Sequence, residues 1–484
     1  MNNSQSIKTP SALVALIPLA VLILLLALTI HLFGGDAIAG GSQLSLLTAS
    51  AVCTMLAMGI YRTKWQTLED AIIGNMRSAT PAIIILLLIG AIAGTWMASG
   101  IIPTLIYYGL KILHPSIFLP ASCIICAVIS LLTGSSWTTI ATIGVALMGV
   151  GRALGFEDGW IAGAIISGAY FGDKISLMSD TTVLASSTVE VPLFTHIKYM
   201  LITTTPSLLI ALVVFAVVGF SGATATVADT LTIEASLQQT FNISPWLLIV
   251  PLVTGLLIAK KLPAIVTLFA SALMAAVAMI IAQPDIVQQI AQTDVASALN
   301  SFKAVVQVVT TSSSVETHNE LLNNLVATRG MSGMMDTIWL IICAMCFGGV
   351  MYGSGMLSAL SQIFLRLARR TVSVVGSTVC SGLFFNLATG DQYISIILTC
   401  NLFKQLYKDR DLEQRLLSRS VEDSATVTSV LIPWNSCGMA QSTVLGVATL
   451  TYMPYCIFNI ISPLMSIFMA TIGYKIYKRS QNGK

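Results

Sequence analysis

Phe171-Gly172-Asp173-Lys174-Ile175-Ser176-Leu177-Met178-Ser179-Asp180-Thr181-Thr182 sets three charges and four hydroxyls between two apolar runs that could lie in a membrane. At mid-bilayer each Asp or Lys costs roughly 2.5–3.5 kcal/mol, so ionisable groups there face a cavity or a partner and mark an ion or substrate path. The flanks, from Trp160 and on to about Glu190, are each too short to span alone. The segment therefore reads as a discontinuous helix, unwound at its centre. Such backbone is tolerated at membrane depth only where protein or a water-filled cavity covers it. The stretch reads as a transport site.

Composition supports a membrane setting. The chain is 55% hydrophobic and 9% charged, with a mean hydropathy of +0.86, whereas ordinary soluble domains carry about 25% charged residues. A polytopic helical protein embedded in a lipid bilayer follows. The net charge of +3 is small and its basic residues lie in short loops, so nucleic acid is not indicated as a partner. Cys123-x-x-Cys126 and Cys343-x-x-Cys346 sit inside apolar runs with no His nearby and read as small buried residues. Lys8 and Ala37-x-Ala39 imitate a signal peptide, but the run from Ser11 to Phe33 is long enough to span. No HExxH, nucleotide loop or nucleophile triad appears, so the chain reads as a transporter with no cofactor, not an enzyme.

Spans are expected at 11–33, 43–60 and 80–98, and Arg62, Lys64 and Arg77 mark the loop before the third as cytoplasmic. Residues 1–79 are then N-terminal helices and a cytoplasmic loop, and 99–115 an external connector or interfacial helix. Residues 80–220 form a first unit, with a hairpin at 116–151 broken at Thr133-Gly134-Ser135-Ser136 and the broken helix at 160–190. Residues 221–336 connect, with spans at 245–259 and 263–282 around Lys260-Lys261 and a long polar external segment from 283. Residues 337–476 form a second unit, with a hairpin at 371–403 broken at Thr389-Gly390-Asp391-Gln392 and a broken helix at 421–450 interrupted by Pro433-Trp434-Asn435-Ser436-Cys437-Gly438. Lys475, Lys478, Arg479 and Lys484 place the 477–484 tail, like the N-terminus, in the cytoplasm.

The two units superpose in sequence. Gly94 to Gly100 matches Gly349 to Gly355, Thr133-Gly134 matches Thr389-Gly390, and the offset of about 255 carries Asp180 onto Asn435. Because the charge rule orients the units oppositely, the expected fold class is an all-α polytopic membrane protein with an inverted-topology repeat, two re-entrant hairpins and two discontinuous helices. Each unit contributes one hairpin tip and one unwound segment to a common centre.

Hard cations want several oxygens, and Ser179, Asp180 and Thr181 offer a carboxylate and hydroxyls on unwound chain as Na+ ligands. A carboxylate held away from water also takes up protons more readily, so one group can hold H+ or Na+ in turn. That competition suffices for antiport. Asp173 and Lys174 read equally as direct participants or as a structural pair that balances the charge of the broken region. Asp391 reads as a cation ligand or as a cap for the leg that follows it. Glu422 and Asp423 open the second broken helix, where acidic residues also complement a helix N-terminus. His196 reads as an ordinary interfacial histidine before it reads as a pH sensor.

Gly172 to Thr182, together with Val421-Glu422-Asp423-Ser424 and on through Pro433-Trp434-Asn435, closely resembles the NhaC Na+/H+ antiporter family, from about residue 70 to 475. The resemblance implies sodium-coupled antiport in a bacterial cytoplasmic (inner) membrane, with Na+ and H+ as the moving ions. It also implies a homodimer in which a substrate domain moves, elevator-like, against a fixed scaffold. By motif, Asp173, Ser179, Asp180, Thr181, Glu422, Asp423 and Asn435 become the residues to test. Relatives include malate/lactate exchangers and suspected amino-acid carriers. A second expectation is therefore Na+- or H+-coupled movement of a small organic acid or amino acid, anchored by Lys174, the Thr133–Ser136 tip with Thr133 and Ser135, and Asn435.

Overall fold

A computed structural model describes residues 10–33, 40–222, 227–260, 262–293, 295, 297–317, 323 and 326–477. Lys8, Ala37, Ala39, Lys261, Lys478, Arg479 and Lys484, which carried parts of the sequence argument, lie outside them. The described chain is helical throughout, and the β-type pairing seen among these residues is a single bridge between Ser313 and Thr328. Among them, 8 helices are long and apolar enough to cross a membrane, or up to 10 if two bent pairs each count as one span. Apolar residues cover the outside as well as the core: Leu13, Phe220, Trp246 and Ile281 are all exposed. A helix that is apolar all round suits lipid on one side and protein on the other.

The elements that position the site are two helical hairpins and two interrupted helices. In the first hairpin, Pro115–Thr133 begins with Pro at its first turn and ends on Gly134 in the left-handed region (φ 68°). Ser135 is extended, and the chain re-enters helix at Ser136. It continues through a π-helical turn, Ile140–Gly144, to Ala153. The second hairpin repeats this plan: Thr371–Thr389 ends on Gly390 (φ 68°), Asp391 is extended, and Gln392–Asp409 follows. A residue with a Cβ is strained at such a φ, which is why glycine stands at both tips.

The first interrupted helix runs Asp158–Ile175, breaks over four residues, and resumes at Asp180–Thr188. The second begins earlier than expected, at Gln414, passes through a π-helical turn, Glu422–Thr426, and a short 3-10 turn, Ser429–Leu431. It breaks at Ile432 to Asn435 and resumes at Ser436–Leu445.

Helix Trp65–Ala98 holds 34 residues, so residues 65–79, expected as loop, are helical and Arg77 lies within a helix. Hydropathy marks only the apolar part of such an element, while Trp65 to Ser78 lacks any proline and extends it into the polar margin. Residues 101–112 form a short helix. The connecting region holds further helices at Val227–Thr240, Pro284–Ala291 and Ala298–Thr310. The second unit opens with two helices, Met335–Gly353 and Met356–Leu367, divided at Ser354-Gly355.

Pro115–Thr133 packs along Asp158–Ile175 with almost no separation. A Cβ on Gly168 would stand 2.0 Å from the Cys123 carbonyl oxygen, and one on Gly172 would stand 2.2 Å from that of Ala127. Small residues one turn apart let two backbones touch, the usual device of helix association in lipid. This seam brings the first hairpin tip to the first break. Replacing Gly172 with Ala is therefore expected to cost about 1–3 kcal/mol through overpacking. Gly376, with nothing within 4 Å of its would-be Cβ, should accept Ala freely. Thermal unfolding of the two variants in detergent checks this, and equal stability would contradict the close seam.

Candidate functional site

Each hairpin tip docks on the break of its neighbouring helix. Gly134 lies against Met178, where a Cβ would come within 2.6 Å of the Met178 backbone carbon. Gly390 lies against Trp434, and its carbonyl accepts from the Ser436 N–H at 2.8 Å. Side chains complete the contacts. The Ser176 hydroxyl donates to the Leu131 carbonyl at 2.8 Å, the Trp434 indole N–H to the Leu387 carbonyl at 2.8 Å, and the Asn435 amide to the Asn386 carbonyl at 3.2 Å. Backbone groups freed by a break need such partners at membrane depth.

Between the tips and breaks lies a cavity of about 720 Å³. Its wall takes Thr133, Gly134, Ser135 and Trp137 from the first tip; Asp173, Met178, Asp180 and Thr181 from the first break; and Asp391, Gln392, Tyr393 and Ser436 from the second tip and break. Helix Trp65–Ala98 contributes Ser78, Pro81 and Ile85, and Ile258, Leu262, Pro263 and Ala264 close another side.

The three carboxylates differ in what holds them. Asp173 is buried, and its Oδ2 accepts from the Ser136 N–H at 3.1 Å and hydroxyl at 2.7 Å. Asp391 is buried, and its Oδ1 caps the following leg by accepting from the Ile394 N–H at 2.9 Å, with the Ser436 hydroxyl at 3.5 Å from Oδ2. The capping role expected of Asp391 is thus the one its geometry displays, inside the cavity wall. Asp180 is exposed to the cavity and meets no hydrogen-bond donor or cation among the described residues. The hydroxyls of Ser179 and Thr181 bond to each other at 3.0 Å; of the two, Thr181 lines the cavity and Ser179 does not.

Lys174 points the other way. Asp173 and Lys174 do not pair with each other: the Lys174 ammonium is fully buried in an ion pair with Asp423 and also donates to the Ser462 hydroxyl at 3.1 Å. Asp423 Oδ1 accepts further bonds from Thr203 and Ser462, each at 3.1 Å. Arg419 Nε stands 3.9 Å from Asp423 Oδ2, and its guanidinium lies over the Tyr199 ring at 4.7 Å. Among the described residues, no guanidinium nitrogen of Arg419 and neither carboxylate oxygen of Glu422 completes a hydrogen bond, and the Thr426 hydroxyl lies beside Glu422 without closing one.

Of the residues expected at the centre, Asp173, Asp180, Thr181, Thr133, Ser135 and Asp391 share the cavity. Lys174, Glu422 and Asp423 form a separate buried cluster, while Ser179 and Asn435 cap the helices that start at the breaks. His196 is fully buried, and its Nδ1 lies 2.8 Å from the Ser418 hydroxyl. Arg419, Thr203, Ser462 and Tyr393 were not foreseen. Arg419 had a signal in its place four residues before Asp423; the other three had none.

A polytopic helical protein with an acidic cavity between broken helices is a secondary carrier by build. A family model described as the Na+/H+ antiporter family matches residues 168–474. The Na+/H+ antiporter NhaC of Bacillus subtilis is 38% identical over 411 residues, 84% of this chain and 87% of that protein. The NhaC of Alkalihalophilus pseudofirmus is 35% identical over 430 residues, 88% and 90% of the two chains. The malate-2H+/Na+-lactate antiporter of B. subtilis is 35% identical over 443 residues, 91% of each. The chain belongs to the Na+/H+ antiporter family and is a multi-pass membrane antiporter.

Removing one partner of a buried ion pair strands the other charge and costs roughly 3–5 kcal/mol, whereas removing both can be nearly neutral. Lys174→Met is therefore expected to destabilise the protein by about that amount, and Asp423→Asn in the same chain to restore most of the loss. Thermal unfolding of the single and double variants measures this; additive losses would sink the pairing.

Proposed function

We propose that the protein exchanges Na+ for H+ at Asp180. The observation that carries this is the contrast among the cavity carboxylates: Asp173 and Asp391 are held by backbone and hydroxyl donors, whereas Asp180 faces the cavity without a partner among the described residues. A carboxylate with its oxygens free can take a proton or a cation, but not both. Thr181 and the hairpin-tip hydroxyls of Thr133 and Ser135 supply further oxygen for a dehydrated Na+. The NhaC relatives exchange the same two ions by name.

In this reading the two units are an inverted-topology repeat. The support is that each pairs a left-handed glycine tip with a helix break, at Gly134 with Met178 and at Gly390 with Trp434. The hairpins are re-entrant and, with the broken helices, form the part that moves. Arg77 beside Ser78 and Lys260 near Ile258 and Leu262 in sequence favour a cavity that faces the cytoplasm, with both termini on that side. The domain limits 1–79, 80–220, 221–336, 337–476 and 477–484 and a homodimer belong to the same proposal.

A second reading, exchange of a small organic acid, is favoured by the malate/lactate relative and by a cavity larger than a bare ion needs. Its expected anchor, Lys174, lies outside the cavity wall and is bound to Asp423.

Internal pH in proteoliposomes after a Na+ pulse, with no organic solute, tests the exchange. Wild-type protein should show a Na+-driven alkalinisation or acidification set by the gradient, and Asp180→Asn none. As pH rises the competing proton leaves, so the apparent KM for Na+ should fall, by up to about tenfold per pH unit for one proton. A pH-independent KM would argue against a shared carboxylate.

A further inference from the structure

We propose that the cavity also takes an organic ammonium ion, a positive charge on a small apolar body, and that Asp180 binds its charge. The inference rests on the cavity being the cation site and extends it to a second chemical class of cargo. Size comes first: about 720 Å³ lies within the roughly 300–1,000 Å³ typical of small-molecule sites. Much of the wall is apolar or aromatic, with Ile85, Trp137, Leu177, Leu184 and Tyr393. Hydrated or bare, an alkali ion gains nothing from such surface.

The sign of the charge follows from the wall. It holds Asp173, Asp180 and Asp391, and none of its described lining residues is Lys, Arg or His. Helix N-termini that open on the cavity would favour an anion if their N–H groups were free. At each of them the protein itself takes one or two of the N–H groups. Ser135 accepts from the Thr138 N–H, Ser179 from that of Thr182, Asp391 from that of Ile394 and Asn435 from that of Cys437. Asp173 takes the Ser136 N–H. Of the three carboxylates, Asp180 is the one with no partner among the described residues.

Trp137 and Tyr393 add the feature that separates an organic cation from a metal ion. An ammonium group over an aromatic face is drawn by the ring quadrupole, and its apolar body is drawn by the same ring. Tyr393 is 38% exposed, so its ring is open to contact. A carboxylate on the same cargo would meet no cationic side chain among the described lining residues, so an amine should bind better than the corresponding amino acid.

The test uses the full-length purified protein and two probes, propylammonium chloride and tetramethylammonium chloride, with potassium chloride and potassium propionate as controls. Both ammonium salts should raise the thermal unfolding midpoint in detergent, rising with the logarithm of concentration. Potassium propionate should not, and Asp180→Asn should lose the shift while unfolding near its own unliganded midpoint. In proteoliposomes buffered to one pH on both sides, radiolabelled Na+ uptake should show competition. An ammonium probe at twice its inhibition constant raises the apparent KM for Na+ about threefold and leaves Vmax alone.

Na+ uptake without any ammonium effect overturns the proposal and leaves Na+/H+ exchange standing. An equal midpoint shift in Asp180→Asn, or a shift with propionate, also overturns it. An Asp180-dependent ammonium shift in a protein that moves no Na+ sustains the proposal and removes the Na+/H+ reading instead.

Discussion

Everything at the centre of this protein depends on satisfying backbone polar groups where helices break inside an apolar slab. A free N–H or carbonyl at that depth costs several kcal/mol, and no water in the hydrocarbon can cover it. The protein meets the demand by bringing a hairpin tip to each break. The Gly390 carbonyl takes the Ser436 N–H, and Asp173 takes the N–H and hydroxyl of Ser136. Close approach of this kind needs glycine at the tips and along the Gly168–Gly172 seam. The cavity is the space left where four non-helical segments meet.

The same demand sorts the carboxylates. Asp173 and Asp391 stand where helix N-termini need acceptors, and their oxygens answer to donors of the protein's own backbone. For either to bind Na+, those donors would have to be given up, which offsets the gain from the new ligand. Asp180 begins its helix one residue after Ser179, whose hydroxyl does the capping. Its carboxylate is relieved of that task. Position relative to the cap, more than burial, leaves the Asp180 carboxylate without a donor among the described residues.

Much of this plan was visible in the sequence because breaks in an apolar run are conspicuous. Thr133-Gly134, Thr389-Gly390 and Pro433 to Gly438 interrupt stretches that otherwise read as membrane helix, and the structure puts a break at each. Side-chain direction was not visible. Successive residues on a helix point about 100° apart, so Asp173 can face the cavity while Lys174 faces Asp423, 249 positions away. No local pattern reports a partner at that distance. The helical character of residues 65–79 was hidden for a different reason, since hydropathy records the lipid boundary and not where a helix begins. His196, with few charges nearby in sequence, gave no sign that its ring would be buried against Ser418.

Adjacent residues on one helix therefore serve two polar centres that lie back to back. On one side Asp173 helps build an acidic cavity; on the other Lys174 holds Asp423 in a sealed cluster with Arg419 and Glu422. The break after Ile175 is what allows both. A continuous helix would have carried Asp180 round the axis and along it, about 10 Å beyond Asp173. Unwinding the four residues between turns the chain back, with the Thr182 hydroxyl bonded to the Lys174 carbonyl at 3.0 Å, so that both aspartates reach the same space. The ion pair behind them pins the end of the first helix to the π-helical turn of the second. Charge that would be costly elsewhere in the bilayer thus fixes the geometry of the break that carries Asp180.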